Sequence, residues 1–238
     1  MTSALAPEAW SGARPASAVA PVRLLCLPYA GASAQIFRPW CHWLAPRVEL
    51  LSLELPGRGL LVRQQPVERM AELVGRLADA LAPRAGEPLA LFGHGMGALI
   101  AFELARRLQA AGGPQPLHLF VSAQRAPQLA PLQTALRERL HLAPPRPFAA
   151  ASPIEPAAGT ASDFLLAALH ADVRLSEGYE FLPGPELDLP VTVFGGVEDA
   201  SVTRQELEAW RQVTRGECIV RWLPGDHFFV HEHQRLLA

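Results

Sequence analysis

Residues 89–108 read LALFGHGMGALIAFELARRL. The apolar run from Leu89 to Phe92 meets a glycine-rich turn, and alanines and leucines at helical spacing follow. This is the pattern of a strand, a sharp turn and a helix, in which Gly-x-Ser-x-Gly lifts a serine hydroxyl above the end of a sheet. Here the frame is Gly93-His94-Gly95-Met96-Gly97, so the nucleophile position holds glycine. A turn suited to presenting a hydroxyl has none to present.

Outward from this turn, short apolar runs alternate with amphipathic segments. Strands are expected over 22–28, 48–56, 88–92, 117–123, 190–196 and 217–224. Helices are expected over 36–44, about 67–82, 96–111 and 203–213, with a last one from 228 onward. Gly112-Gly113-Pro114 stops the helix that follows the turn. Alternation at this spacing implies an α/β fold, a mostly parallel sheet with helices on both faces. Ligands then bind beyond the carboxyl ends of the strands. A chain of 238 residues suits one such domain, here from residue 21 onward.

The interval 124–189 breaks the rhythm. A helix is expected at about 129–140, then the run LAPPRPFAAASPIEPAAGTAS (142–162), then a helix at about 163–176. An insertion of about 128–180, ahead of the strand that leads to the acid, reads as a lid over the site. A linker with no part in binding is the alternative, and composition does not separate the two. Residues 1–20, MTSALAPEAWSGARPASAVA, lack the basic start and long apolar stretch of a signal peptide and read as a disordered leader.

A nucleophile elbow needs an acid after a later strand and then a histidine. VFGGVEDASV (193–202) supplies Asp199, and WLPGDHFFVHEH (222–233) supplies His227, each in a loop at a strand's carboxyl end. Taken singly, an aspartate in a glycine-rich turn is usually a cap, and an isolated histidine is often structural. The joint order elbow, Asp199, His227 outweighs those readings. The neighbouring Glu198 and Asp226 read as solvated. Ser33, Ser122 and Ser201 each have a local structural explanation, and Cys41 beside His42 reads as part of one amphipathic helical turn, so no substitute nucleophile emerges.

Composition excludes other classes. The formal charge of -2, with no basic block interleaved with aromatics, gives no case for nucleic acid. All 21 basic residues are arginine. Cys26, Cys41 and Cys218 are odd in number and lack metal-like spacing, and they read as reduced core residues of a cytosolic protein. No apolar run reaches the roughly 18 residues of a membrane span, so a soluble, cytoplasmic protein is expected; a monomer is expected as well.

With these residues in view, the sequence resembles the type II thioesterases of nonribosomal peptide and polyketide pathways, which have the α/β-hydrolase fold. The matching stretches are LLCLPYAGASAQIFRPW (24–40), LELPGRG (53–59), LALFGHGMGALIAFELARRL (89–108), HLFVSAQRAP (118–127), GGVEDASVTRQELEAW (195–210) and LPGDHFFV (223–230). The resemblance implies hydrolysis of acyl groups held on the phosphopantetheine arm of acyl or peptidyl carrier proteins, with no cofactor or metal of the enzyme's own. It implies serine attack on the thioester, with His227 as base and Asp199 orienting it. The oxyanion hole would be the backbone N–H groups of Ala30 and Met96. Arg58 and Arg125 lie in matching loops, but which arginines contact a carrier is not readable from the sequence.

Three departures stand out. Gly95 occupies the nucleophile position, Gly57-Arg58-Gly59-Leu60-Leu61 replaces an expected Gly-Arg-Glu with a charged continuation, and the insertion is proline-rich. Divergence at three places favours drift or a new role over a single engineered change. Glycine cannot form an acyl-enzyme, and loss of a triad nucleophile costs about a million-fold, leaving roughly 10³ to 10⁴ over water. Weak or altered hydrolysis is therefore expected, with two alternatives: a non-catalytic protein that holds a carrier or its acyl chain, or other acid-base chemistry at His227.

Overall fold

The computed structural model describes residues 10–11, 22–82, 86–112, 115–129 and 161–237. Seven described strands form one sheet: β1 (Trp10–Ser11), β2 (Val22–Leu27), β3 (Val48–Leu53), β4 (Leu89–His94), β5 (His118–Ser122), β6 (Val191–Gly196) and β7 (Cys218–Leu223). Their order is β1-β3-β2-β4-β5-β6-β7, parallel throughout except for antiparallel β1. The six parallel strands are those expected from the sequence, shifted by a few residues at their ends. β1 corrects the expectation of a disordered leader over 1–20 at two residues, because Trp10 and Ser11 pair with Leu53 and Ser52. An edge strand with unpaired N–H and C=O groups is a template that any passing extended segment can complete.

Helices α1 (Cys41–Leu44), α2 (Met70–Leu81), α3 (Met96–Ala110), α4 (Ala161–Glu177), α5 (Arg204–Glu208), α6 (Phe229–Glu232) and α7 (Gln234–Leu237) complete the description. The segment expected as one helix over 36–44 is a 3₁₀ turn, Ala34–Trp40, running into α1. Likewise α5 continues as a 3₁₀ turn over Ala209–Val213. α4 corresponds to the helix expected at 163–176, whereas the helix expected at 129–140 and most of the proline-rich run lie outside the described residues.

Side chains alternate across the sheet with period two. Leu25, Leu27, Leu91, Leu119, Val121 and Val193 face α2, α3 and Trp210. Leu24, Cys26, Ala90, Phe92 and Phe194 face Phe37, Trp40, Phe229 and Val230 on the other side. α2 buries Leu73, Val74, Leu77 and Leu81, one stripe of a 3.6-residue period. Cys26 and Cys218 are buried as expected, but Cys41 is exposed, because the first turn of α1 leaves it on the solvent side.

The connections reverse direction between β2 and β4. From β2 the chain steps out to β3 and then returns to place β4 on the other side. The loops leaving β2 and β4 therefore splay apart at a switch point and form a crevice there. Those loops carry Tyr29 to Ser33 and the Gly95 turn.

Candidate active site

β4 ends at His94 and α3 begins at Met96, so Gly95 alone makes the turn. Its φ of 53° and ψ of -122° lie where a residue with a side chain is strained by about 1 to 3 kcal/mol, whereas glycine enters freely. The turn is fixed by main chain: Gly95 N–H donates to Ser122 O at 2.9 Å, and Ala98 N–H donates to Gly95 O at 2.9 Å. Gly97 packs directly on the Leu27 carbonyl, where a Cβ would overlap it.

His94 is fully buried beneath this turn, with Nδ1 2.9 Å from Ser122 Oγ and Nε2 3.0 Å from the His227 carbonyl. Burial first, and then the neighbouring His227, bring its pKa down to about 3. A neutral ring has one donor and one acceptor, so Nε2–H donates to the His227 carbonyl and Nδ1 accepts from Ser122. His94 thus ties the elbow to the loop of His227.

Opposite the elbow, His227 Nδ1 stands 2.8 Å from Asp199 Oδ2. The other carboxylate oxygen, Oδ1, accepts from Ser201 N–H at 2.8 Å and from Ser201 Oγ–H at 2.6 Å. Ser201 Oγ also lies 3.0 Å from His227 Nδ1 and shares its proton. Burial pushes the Asp199 carboxyl up, but the bonds from His227 and Ser201 together outweigh it and hold the pKa below its ordinary value. With Nδ1–H engaged, Nε2 is left as the basic nitrogen facing the elbow. A Cβ on Gly95 would stand 3.9 Å from Nε2, so a hydroxyl one bond further out comes within hydrogen-bond reach.

The structure thus brings Gly95, Asp199 and His227 together. Glu198 and Asp226 are exposed, as expected from their loops. Ser201 escaped the sequence reading, which gave it only a local role. A hydroxyl two residues after an acid was the available signal, because it can close on that carboxylate as a turn.

A cavity of about 220 Å³ lies over this arrangement, lined by Tyr29, Ala30, Gly95, Met96, Ser201 and His227 among others. Tyr29 forms a fixed wall: its ring packs edge-on against Phe228 at 5.3 Å and its hydroxyl lies 2.9 Å from His231 Nε2. Met96 opens α3, where backbone N–H groups have no partner within the helix. Ala30 is the second residue of the turn Tyr29–Ala32, which is closed by the Ala32 N–H and not by that of Ala30. A larger cavity of about 800 Å³ between α2, α3 and residues 178–185 contains none of these groups.

Arg58 and Arg125 face inward. Arg58 pairs with Asp172 at 2.5 Å and Arg125 with Glu206 at 3.2 Å, all four side chains being buried. Both are tied within the fold, and Arg125 also lines the cavity over Gly95 and His227. Gly59 in the same loop has a steric reason, since a Cβ there would overlap the Glu54 carboxyl group. Among the described residues no three His, Cys, Asp or Glu side chains cluster to hold a metal, and no helix is long and apolar enough to cross a membrane.

The thioesterase domain family model matches residues 22–238. The chain belongs to that family. It is 36% identical over 225 residues to the gramicidin S biosynthesis protein GrsT of Aneurinibacillus migulanus, covering 91% of this chain and 86% of GrsT. RedJ, a thioesterase from the prodiginine biosynthetic pathway in Streptomyces coelicolor, is 40% identical, with a TM-score of 0.74 over 92% of this chain and 84% of RedJ. The type II thioesterase BorB from the borrelidin biosynthetic cluster is 34% identical, with a TM-score of 0.77 over 96% of this chain and 92% of BorB. The fold of this thioesterase-family chain is accordingly the α/β-hydrolase fold, and among its structural neighbours ClbQ comes from the colibactin NRPS/PKS pathway.

Proposed function

We propose that this thioesterase-family protein acts on acyl thioesters carried by the phosphopantetheine arm of a carrier protein, hydrolysing them slowly and without an acyl-enzyme. The observation that carries the reading is the joined Asp199, Ser201 and His227 relay facing an elbow with no side chain. In this mechanism the carrier's acyl carbonyl lies over Gly95, with its oxygen toward the N–H groups of Ala30 and Met96. Water takes the place of the serine hydroxyl and gives its proton to His227 Nε2 as it attacks the carbonyl carbon. The two amides stabilise the resulting oxyanion. Collapse breaks the carbon–sulfur bond, and His227 returns the proton to the departing thiolate. Products are the free acid and the carrier's thiol, with no net consumption beyond one water.

Single-turnover acyl release from a loaded carrier protein tests this. The unmodified chain should release the acid slowly, and His227→Ala should lower that rate by about 10² or more, the contribution of a general base. Equal rates for the two proteins, both at background, favour a second reading that Gly95 itself motivates: a thioesterase fold that holds the carrier or its acyl chain without cleaving it.

A further inference from the structure

The oxyanion loop is not anchored by its own turn alone. Tyr29 O accepts from Ala32 N–H at 3.0 Å, and Gly31 has φ of 82°, the third-position geometry of a type II turn. The central peptide of such a turn is the one that differs between turn types I and II. Here its N–H, on Gly31, is held by Asp172 Oδ2 at 2.7 Å. Asp172 belongs to α4, which is 141 residues away in sequence.

The carboxylate is itself oriented. Arg58 Nη1 donates to Asp172 Oδ2 at 2.6 Å and Nη2 to Oδ1 at 2.5 Å, a bidentate pair. Arg58 Nη1 also donates to Ala32 O at 2.9 Å, on the far side of the turn. Asp172 and Arg58 are both buried, so neither moves freely in solvent. Leu169, one turn earlier on α4, brings Cδ1 to 3.0 Å from where a Cβ of Gly31 would be, so the helix also packs on the turn. Ala30 therefore sits between two peptides whose directions are both fixed.

We propose that Asp172 and Arg58 are positioning residues for the Ala30 N–H, a latch through which α4 sets the oxyanion hole. The proposal rests on the reading of Ala30 as an oxyanion donor given above. When α4 is seated, the Gly31 peptide is clamped and the Ala30 N–H faces the cavity. When α4 is displaced, the central peptide loses its acceptor, and the donor keeps only the Ala32 bond to the Tyr29 carbonyl of its own peptide, which alone holds it less firmly.

Removing one partner of a buried ion pair leaves the other charge buried and threatens the fold, so both are exchanged together. The first readout is amide hydrogen exchange in the full chain, which does not depend on activity. Arg58→Met with Asp172→Leu should exchange at least tenfold faster at Gly31 and Ala32, with the strands β4 and β5 unchanged. The second readout is turnover in a Gly95→Ser background. There the same pair should lower kcat by about a hundredfold, as loss of an oxyanion donor does, with KM within twofold. Arg58→Met with Asp172→Asn restores an acceptor for Gly31 N–H and should recover most of kcat. Unchanged exchange at Gly31, or an unchanged kcat with KM alone raised, overturns the latch. If Gly95→Ser with an intact latch releases no acyl group, the thioesterase reading fails, while the exchange result still decides the latch.

Discussion

On one side of the cavity, Asp199, Ser201 and His227 are joined by hydrogen bonds of 2.6 to 3.0 Å. On the other side, the elbow has the backbone of a nucleophile turn and no side chain at its apex. The two regions are held by different means. The elbow depends on main-chain bonds from Gly95 and Ala98 and on close packing at Gly97, none of which involves a nucleophile. The relay depends on side chains from the loops that leave the paired strands β6 and β7, held side by side by bonds from Val197 N–H to Leu223 O and from Glu198 N–H to Gly225 O. A hydroxyl can therefore be lost from the first without disturbing the second, and the buried His94 shows that the two remain mechanically tied.

Returning a side chain to the weaker half is the sharpest way to test that comparison. Gly95→Ser should raise the single-turnover release rate by at least 10³, given the about 10⁶ that a triad nucleophile contributes in an intact enzyme. The same change should cost about 1 to 3 kcal/mol of stability, because serine must adopt the strained turn. Its Cβ would also meet Tyr29 Cβ at 3.3 Å, so Tyr29 must give way by a few tenths of an ångström at its Cβ. A rise in rate paired with a fall in Tm separates frame from chemistry. Equal rates with and without serine would mean that the elbow and relay are not aligned.

Damage to the intact half should have a smaller effect. Ser201→Ala, in the Gly95→Ser protein, removes one charged hydrogen bond and should slow release by about tenfold. The Ser201 hydroxyl bond is one of those that hold the Asp199 carboxyl down, so its loss, with the Ser201 N–H bond kept, raises that carboxyl and moves the acid limb of the pH profile upward. A profile that does not move would reduce Ser201 to a turn residue.

The tie between the halves should appear in stability against pH. His94 is held neutral in the folded chain, with a pKa of about 3 against an ordinary 6.5. The unfolded chain binds the extra proton first, so stability is complete above about pH 6.5 and is lost as pH falls toward 3. His118, also lowered by burial, contributes in the same sense. His94→Gln keeps a donor and an acceptor without titrating, and Tm measured between pH 7 and 4 should fall less steeply than in the unmodified chain.

How much of this was legible in the sequence depends on whether a feature is local. The parallel strands and the elbow were, because apolar period and glycine spacing act within a few residues. Asp199 and His227 were legible through their order behind the elbow. β1 was not, since two residues become a strand only by meeting the free edge of β3. The roles of Arg58 and Arg125 were hidden for the same reason: Asp172 lies 114 residues beyond Arg58, and nothing local marks the pair as buried. Ser201 was visible as a residue but not as a link, because its bond to His227 spans 26 positions.

The most direct measurement of the central claim is the intact mass of the protein after mixing with an acyl-loaded carrier protein and rapid acid quench. The account predicts no acyl adduct on the unmodified chain at any time, and a transient adduct located at residue 95 in Gly95→Ser. A covalent acyl adduct on the unmodified chain, formed and discharged as fast as acid appears, would show that another nucleophile works at this site and would contradict the account.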